Sequence, residues 1–448
     1  MSSAAGFRLS GNYSNAEFFP DLDTAQRIAR THAMLVLSQG WQLGFDGPTW
    51  DGTVEDTFLD EMKAVNPGLK IYRYLNAIYD PNPHFPESWY MHDRHGHRLF
   101  NTMWSNYLMD PRSTAPFVEK GVTSNGWVEY LANLFRRDDA RFPGVFNGGV
   151  WLDDVGGTPH VVDIVTGQPA QAVRSGSGEL WDTRAWYELT LGAASRLQKY
   201  VGRGMFANAL MSSNCYFSGC GGPVPTREFL SSANALDGSM AEAWLRAWYD
   251  PFPRFPSVAA WKQNVQLLID ADRHGRAIQV MTAIPAGAST EQLDQWRLYS
   301  FASFLLGNEG SSYFQFVPYG QSKNSFEMAN PLYSVNIGAP LKHARSIGAY
   351  ARAGGRFFVR NYAGGKVFVN PNSTAVVVRL DKPYAFPDGT LTQKVVLQPY
   401  SGAILVGKPG NAQASKPKAK PAHKGSRQHR GRAHRRGHSG WRLVSRTP

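Results

Sequence analysis

Short apolar runs alternate with helix-periodic segments along most of this chain. Runs at 7–13, 33–37, 69–75, 148–153, 204–209, 235–242, 277–283 and 312–317 read as buried strands. Between them, Val54, Phe58 and Met62 recur every four residues, and Val258, Trp261, Val265 and Leu268 follow one helix face. Ser289 and Gln292 read as a capping box, opening a helix that runs to about Gly307. Further helices are expected near 24–31, 116–136, 183–200 and 226–233. Eight strands alternating with helices predict an α/β fold, a (β/α)8 TIM barrel over 7–340. A doubly wound open sheet is the alternative, but no Gly-rich phosphate loop opens the first unit.

The texture changes after about residue 340. Runs at 357–359, 366–369, 375–380, 393–397 and 403–406 are short and separated by Gly, Pro and Asn turns. They predict a small antiparallel β domain over 341–407. From 408 to 448 the chain is Lys, Arg, His, Gly, Pro and Ser with few apolar residues, which predicts a disordered basic tail.

Charge sharpens this division. Twelve of the 47 Lys and Arg lie from Lys408 onward, where there is no Asp or Glu. The other 35 basic groups match the 35 acidic ones, so the body is formally neutral although the whole chain carries +12. The pI near 9.6 therefore does not argue for a nucleic-acid-binding body. Non-specific contact of anionic polymers through the tail is the one nucleic-acid role expected. No run is long and apolar enough to span a membrane. Residues 1–7 show neither the basic nor the apolar part of a signal peptide. Cys215 and Cys220 enclose four residues and are read equally as a short-loop disulfide or two free thiols.

In a barrel, chemistry belongs at the C-terminal ends of the strands. The fourth predicted strand ends Trp151-Leu152-Asp153-Asp154, with Trp151 and Asp153 on one face. The sixth carries Gly238, Met240 and Glu242 on one face. Carboxylates facing one another across a barrel mouth can divide the work of glycoside hydrolysis. Asp153 is the expected nucleophile or base and Glu242 the expected general acid/base. Asp154 is expected to tune Asp153 and hold a sugar hydroxyl. The competing readings are loop capping for the Asp pair and a salt bridge to Arg246 for Glu242.

Twelve of the thirteen Trp fall between Trp41 and Trp296. Trp41, Trp151 and Trp244 follow strand ends and are candidates to pack on sugar faces, with Asn76 and Asn208 for hydroxyls. Asp110, followed by Pro111, is a candidate to close a substrate loop. The segment His92-Asp93-Arg94-His95-Gly96-His97 matches no firm metal signature and reads as an exposed turn, so neither metal nor cofactor is expected.

These residues resemble a bacterial barrel family labelled hypothetical glycosyl hydrolase family 15. Trp151 to Gly156 is similar to its hydrophobic-Asp-Asp motif, and 237–242 to its Gly-x-x-x-Glu motif. The segments 89–96 and 108–111 resemble its loop after strand three. Segments 336–340, 358–362, 367–371 and 397–405 follow its closing pattern in order. The resemblance covers about 7–407. It implies a secreted or cell-surface hydrolase acting on an oligo- or polysaccharide, and departs from this chain in the missing export signal and the basic tail. A non-catalytic glycan-binding protein on the same scaffold is the second reading.

Overall fold

A computed structural model describes residues 8–13, 22–37, 54–156, 159–174, 177–209, 213–218, 225–232, 236–247, 250–318 and 330–407. Trp41, Cys220 and the predicted tail lie outside these residues. Eight parallel strands close into a barrel: β1 (Arg8–Tyr13), β2 (His32–Leu37), β3 (Lys70–Asn76), β4 (Gly149–Asp153), β5 (Met205–Asn208), β6 (Gly238–Ala241), β7 (Ala277–Ile284) and β8 (Tyr313–Pro318). Each strand pairs with its sequence neighbours and β1 closes on β8, as the alternation of strands and helices predicts. The helices are α1 (Leu22–Thr31), α2 (Val54–Val65), α3 (Trp127–Arg141), α4 (Thr183–Val201), α5 (Ser213–Ser218), α6 (Thr226–Ser232), α7 (Val258–Arg273) and α8 (Thr290–Gly307). The Ser289–Gln292 capping box forms, with Ser289 Oγ accepting from the Gln292 amide at 3.3 Å.

The core has two layers. Inside the barrel, Met34, Tyr72, Trp151, Phe206, Met240 and Tyr313 pack together. Outside it, strand backs and helices share a larger core, which includes Trp244, Trp261 and Trp296. Gly238 shows why β6 carries a glycine: a Cβ there would stand 2.3 Å from the Ala277 carbonyl oxygen and from the Phe206 ring.

One expectation fails at 116–126. A helix is predicted from 116, but Pro116–Glu119 and Val122–Asn125 form a two-stranded hairpin and α3 begins only at Trp127. Lys120 and Gly121 at the turn have positive φ, which a helix does not permit. This hairpin belongs to a long insertion between β3 and α3. The insertion also contributes to a five-stranded sheet ordered Pro169–Ala170, Val161–Asp163, Leu99–Asn101, Asn106–Leu108, Tyr79–Asp80. Both parts leave the barrel from C-terminal strand ends, the face where a site is expected.

The C-terminal antiparallel sheet comprises β9 (Ala351–Arg352), β10 (Phe357–Tyr362), β11 (Gly365–Asn370), β12 (Val376–Ala385), β13 (Leu391–Leu397) and β14 (Ser401–Gly407). Its Phe358, Tyr362, Val367, Val369 and Ile404 join the barrel's outer core. Buried Arg360 seals the end of α8, donating to the carbonyls of Leu305, Leu306 and Asn308 at 3.0, 3.1 and 2.7 Å. No helix among the described residues is long and apolar enough to cross a membrane.

Candidate active site

Three carboxyl groups meet where β3, β4, β5 and β6 end. Asp153 is the last residue of β4, and Glu242 directly follows β6. Asn208, the last residue of β5, stands between them. Its Nδ2 donates to Asp153 Oδ1 at 3.1 Å and to Glu242 Oε2 at 3.0 Å. Two bonds from one nitrogen hold the nearest oxygens of the two carboxyl groups within about 6 Å of each other.

Asp153 accepts two more hydrogen bonds: from Tyr74 Oη at 2.7 Å and from the Asp154 amide at 2.9 Å. Tyr74 is the inward residue of β3 two before Asn76, and it stacks on Trp151 with ring centroids 5.6 Å apart. Asp154 has φ +55°, a strained conformation for a residue with a side chain. Its Oδ2 accepts from Asn76 Nδ2 at 2.7 Å. Asn76 is held in turn, because its Oδ1 caps the amides of Ile78 and Tyr79 at 3.0 and 2.9 Å. Gly156 completes the turn: its amide donates to Thr190 Oγ1 at 3.0 Å, and a Cβ there would lie 2.1 Å from the Tyr187 ring.

Among the described residues no cation pairs with Asp153, Asp154 or Glu242. Arg246, the partner of Glu242 in the competing reading, instead donates to the carbonyls of Ala283 and Asp250. The electrostatics follow from that. Burial raises the carboxyl of Asp153, while the hydrogen bonds of Tyr74, the Asp154 amide and Asn208 pull it back. Burial raises Glu242, and the charge of Asp153 adds to it. Asp154 is pushed up to about 8 by burial first and by Asp153 second. Burial and its two acidic neighbours also hold the Tyr74 phenol far above its usual range, so it stays a proton donor.

Three sequence-predicted site residues lie elsewhere. Trp244 is fully buried behind the barrel, its indole N–H donating to the Asn264 carbonyl of α7 at 2.8 Å, so it offers no face to a sugar. The chain turns at Leu245, with φ +62°, just after it. Trp151 packs inside the barrel with 2% exposure, its N–H on Gln279 Oε1 at 2.9 Å, and forms the floor beneath Tyr74. Asp110 is 6% exposed and chelates Arg112, at 3.0 Å to Nε and 2.7 Å to Nη2, while capping the Arg112 amide at 2.8 Å. It builds its loop rather than facing a substrate. Tyr74 is the residue that sequence reasoning missed. Its signal is the inward register Tyr72, Tyr74, Asn76 on β3.

Cys215 is disulfide-bonded, and the chain's other cysteine is Cys220. Asp93 and His97 of the expected exposed turn and Asp163 of the adjacent strand Val161–Asp163 bring ligand atoms within 4.8 Å of one another. The oxygens of Asp163 are engaged by the Val165 amide at 2.7 Å, Thr166 Oγ1 at 2.7 Å and His97 Nδ1 at 3.0 Å. Asp93 Oδ1 caps the His95 and His97 amides at 2.8 and 2.9 Å. These contacts are those of two hairpin turns.

No family model and no curated protein matches the chain. Among solved structures it is similar to a family 39 glycoside hydrolase from Bacteroides cellulosilyticus, at 10% identity and TM-score 0.48, covering 90% of this chain and 81% of that one. It is also similar to a maltogenic alpha-amylase from Thermotoga neapolitana, at 11% identity and TM-score 0.47, covering 90% and 96%. A family 30 subfamily 8 xylanase from Clostridium acetobutylicum aligns at 10% identity and TM-score 0.42, covering 90% and 95%. The barrel and the carboxyl cluster stand on this chain's own geometry.

Proposed function

We propose that this protein is a glycoside hydrolase cleaving an oligo- or polysaccharide, with retention, through Asp153 and Glu242. The observation that carries the reading is Asn208 Nδ2 bridging the two carboxyl groups. Nearest oxygens within about 6 Å are compatible with the about 5–5.5 Å carboxyl separation of direct attack, and the anomeric configuration of the product decides it. The roles follow from the hydrogen bonds. Asp153 receives three, which favour its ionised form, so it is the nucleophile. Glu242 receives one and feels Asp153's charge, so it keeps its proton and is the acid.

In the first step an Asp153 oxygen attacks the anomeric carbon. The glycosidic C–O bond breaks and the Glu242 proton goes to the leaving oxygen. In the second step the Glu242 carboxylate takes a proton from water, whose oxygen attacks the same carbon and releases Asp153. Asp154, protonated at neutral pH, donates to a sugar hydroxyl. Asn208 Oδ1 is buried with no hydrogen-bond partner in the described structure, so it is available as an acceptor for another. Neither step draws on a cofactor.

A glycan-binding protein without turnover would be expected to lock Asp153 or Glu242 in an ion pair, and no such pair occurs among the described residues. The test is a panel of polysaccharides and aryl glycosides incubated with wild type and Glu242→Gln. Hydrolysis by wild type, lost in the variant and giving a product of unchanged anomeric configuration by NMR, is the expected result. An inverted product would remove the nucleophile role, and full activity of the variant would remove the site.

A further inference from the structure

The hairpin Leu99–Leu108 ends in a feature that the active site does not explain. Its turn carries Met103 and Trp104, which are 68% and 64% exposed. Isolated exposed apolar residues are ordinary. Two large ones side by side at a hairpin turn, where Gly, Asn and Asp are the usual residues, are not. The turn is also built to hold them. Asn101, 7% exposed, uses one Oδ1 to accept from the Met103 amide at 3.0 Å and the Trp104 amide at 3.2 Å. Ser105 follows with φ +55°.

The surface continues down the hairpin. Leu99, Asn101, Asn106 and Leu108 turn inward and are buried, while Phe100 and Tyr107 face outward and are half-buried. These two rings meet edge to face at 5.1 Å. Arg98 stacks its guanidinium 3.8 Å over the neighbouring Tyr90. Aromatic planes held on a rigid turn suit the apolar C–H face of a sugar ring, and little entropy is lost when they engage one.

The hairpin is joined to the carboxyl cluster. Tyr79 pairs with Leu108, at the far end of this hairpin, in the same sheet. Its own amide is capped by Asn76, the partner of Asp154. One chain of contacts thus runs from Trp104 through Asn101 and the paired strands of the hairpin to Tyr79 and Asn76.

We infer that Trp104, with Met103 beside it, is a sugar-binding platform that engages a polysaccharide chain beyond the bond being cut. This rests on the glycoside hydrolase reading and gives it a substrate class: polymers, rather than free disaccharides. The alternative occupant of such a patch is a second copy of the chain.

The test uses the full chain carrying Glu242→Gln, so that binding is read without turnover. Hydroxyethyl cellulose, xylan, soluble starch and polygalacturonate are the probes, in native affinity gels and calorimetry. At least one polymer binds the parent, Trp104→Ala weakens that binding about tenfold, and Trp104→Phe restores most of it. On the active background, Trp104→Ala raises KM for the same polymer. Equal binding by parent and Trp104→Ala overturns the inference, as does a parent that binds none of the four. A parent dimer that becomes a monomer in Trp104→Ala assigns the patch to a second copy instead. Trp104-dependent binding by a wild type that hydrolyses nothing keeps the platform and discards the hydrolase.

Discussion

Strand β3 separates two buried acidic environments that are treated in opposite ways. On its outer side, fully buried Arg73 donates from Nε to Asp138 Oδ2 of α3 at 2.7 Å, and Arg137 holds Asp138 Oδ1 at 2.9 Å. On its inner side, Tyr74 donates to Asp153, which shares the mouth with Asp154 and Glu242 and with no cation among the described residues. A fold selected for stability alone would pair or remove those acids, since buried like charges repel. The first arrangement ties a helix to the barrel. The second raises all three carboxyls by burial and gives one of them, Asp153, three hydrogen bonds that oppose the rise, a difference acid/base chemistry can use.

This contrast breaks most sharply under exchange of a single carboxyl for its amide. Asp153→Asn removes the nucleophile, and kcat on any substrate that wild type cleaves should fall by at least about 10⁴-fold, beyond a typical acid/base contribution. The same change removes a charge from a crowded cluster, so the melting temperature should hold or rise. Kinetics and thermal unfolding on one preparation check both halves. A marked loss of stability would show that Asp153 is structural after all.

Asp138→Ala should give the reverse. It leaves Arg73 buried without its carboxylate, and such a break costs about 3–5 kcal/mol. Chemical denaturation should show that loss, while the folded fraction retains most of its kcat. A stability change under about 1 kcal/mol would mean that water reaches Arg73 and that the two sides of β3 are alike in kind.

How far the chain announced these two environments depends on strand length. Barrel strands β2 to β8 were legible because each is a largely apolar run buried on both faces, and the observed limits of all eight strands follow the predicted ones closely. Asp153 and Glu242 stood out as candidates because each puts a carboxyl at the end of such a run, with loop capping and a salt bridge to Arg246 as the competing readings. Tyr74 did not, since a tyrosine in alternation with Tyr72 reads as interior packing. The five-stranded sheet was not legible, since its strands are two or three residues long and too short to show a period. At 116–126 the pattern misled: Val118 and Val122 stand four apart, as on a helix, but they face solvent from the two arms of a hairpin. Trp244 misled because a backbone turn after a strand cannot be read from its neighbours.

A smaller effect separates the two roles within the mouth. Tyr74→Phe removes one hydrogen bond from the ionised form of Asp153 and leaves the ring that stacks on Trp151. That bond lowers the carboxyl's pKa, so its loss raises it. The acid limb of kcat/KM should move to higher pH, and kcat should fall about tenfold to a hundredfold with KM little changed. If only the alkaline limb moved, Tyr74 would serve Glu242 and the assignment of nucleophile and acid would reverse.

The smallest expected effect lies outside the site and asks whether unpaired burial alone marks it. Asp80 is 2% exposed, and burial, with Glu119 nearby, pushes its carboxyl up to about 8 against the Asn82 amide that pulls it down. A carboxyl that holds its proton more tightly folded than unfolded stabilises fully below the unfolded pKa near 4. That contribution fades as pH rises through about 8. Stability should therefore fall between pH 5 and pH 9, and Asp80→Asn should recover on the order of 1 kcal/mol of it. Asn keeps the oxygen that caps Asn82, so the turn is preserved. Asp154 and Glu242, raised in the same sense, leave a residual slope in the variant. Denaturation midpoints at both pH values, with activity alongside, separate the cases. Asp80→Asn should change stability at pH 9 without shifting the pH–rate profile, because its carboxyl lacks what distinguishes the mouth: a second acid bridged to the first by one amide nitrogen, with a third beside them.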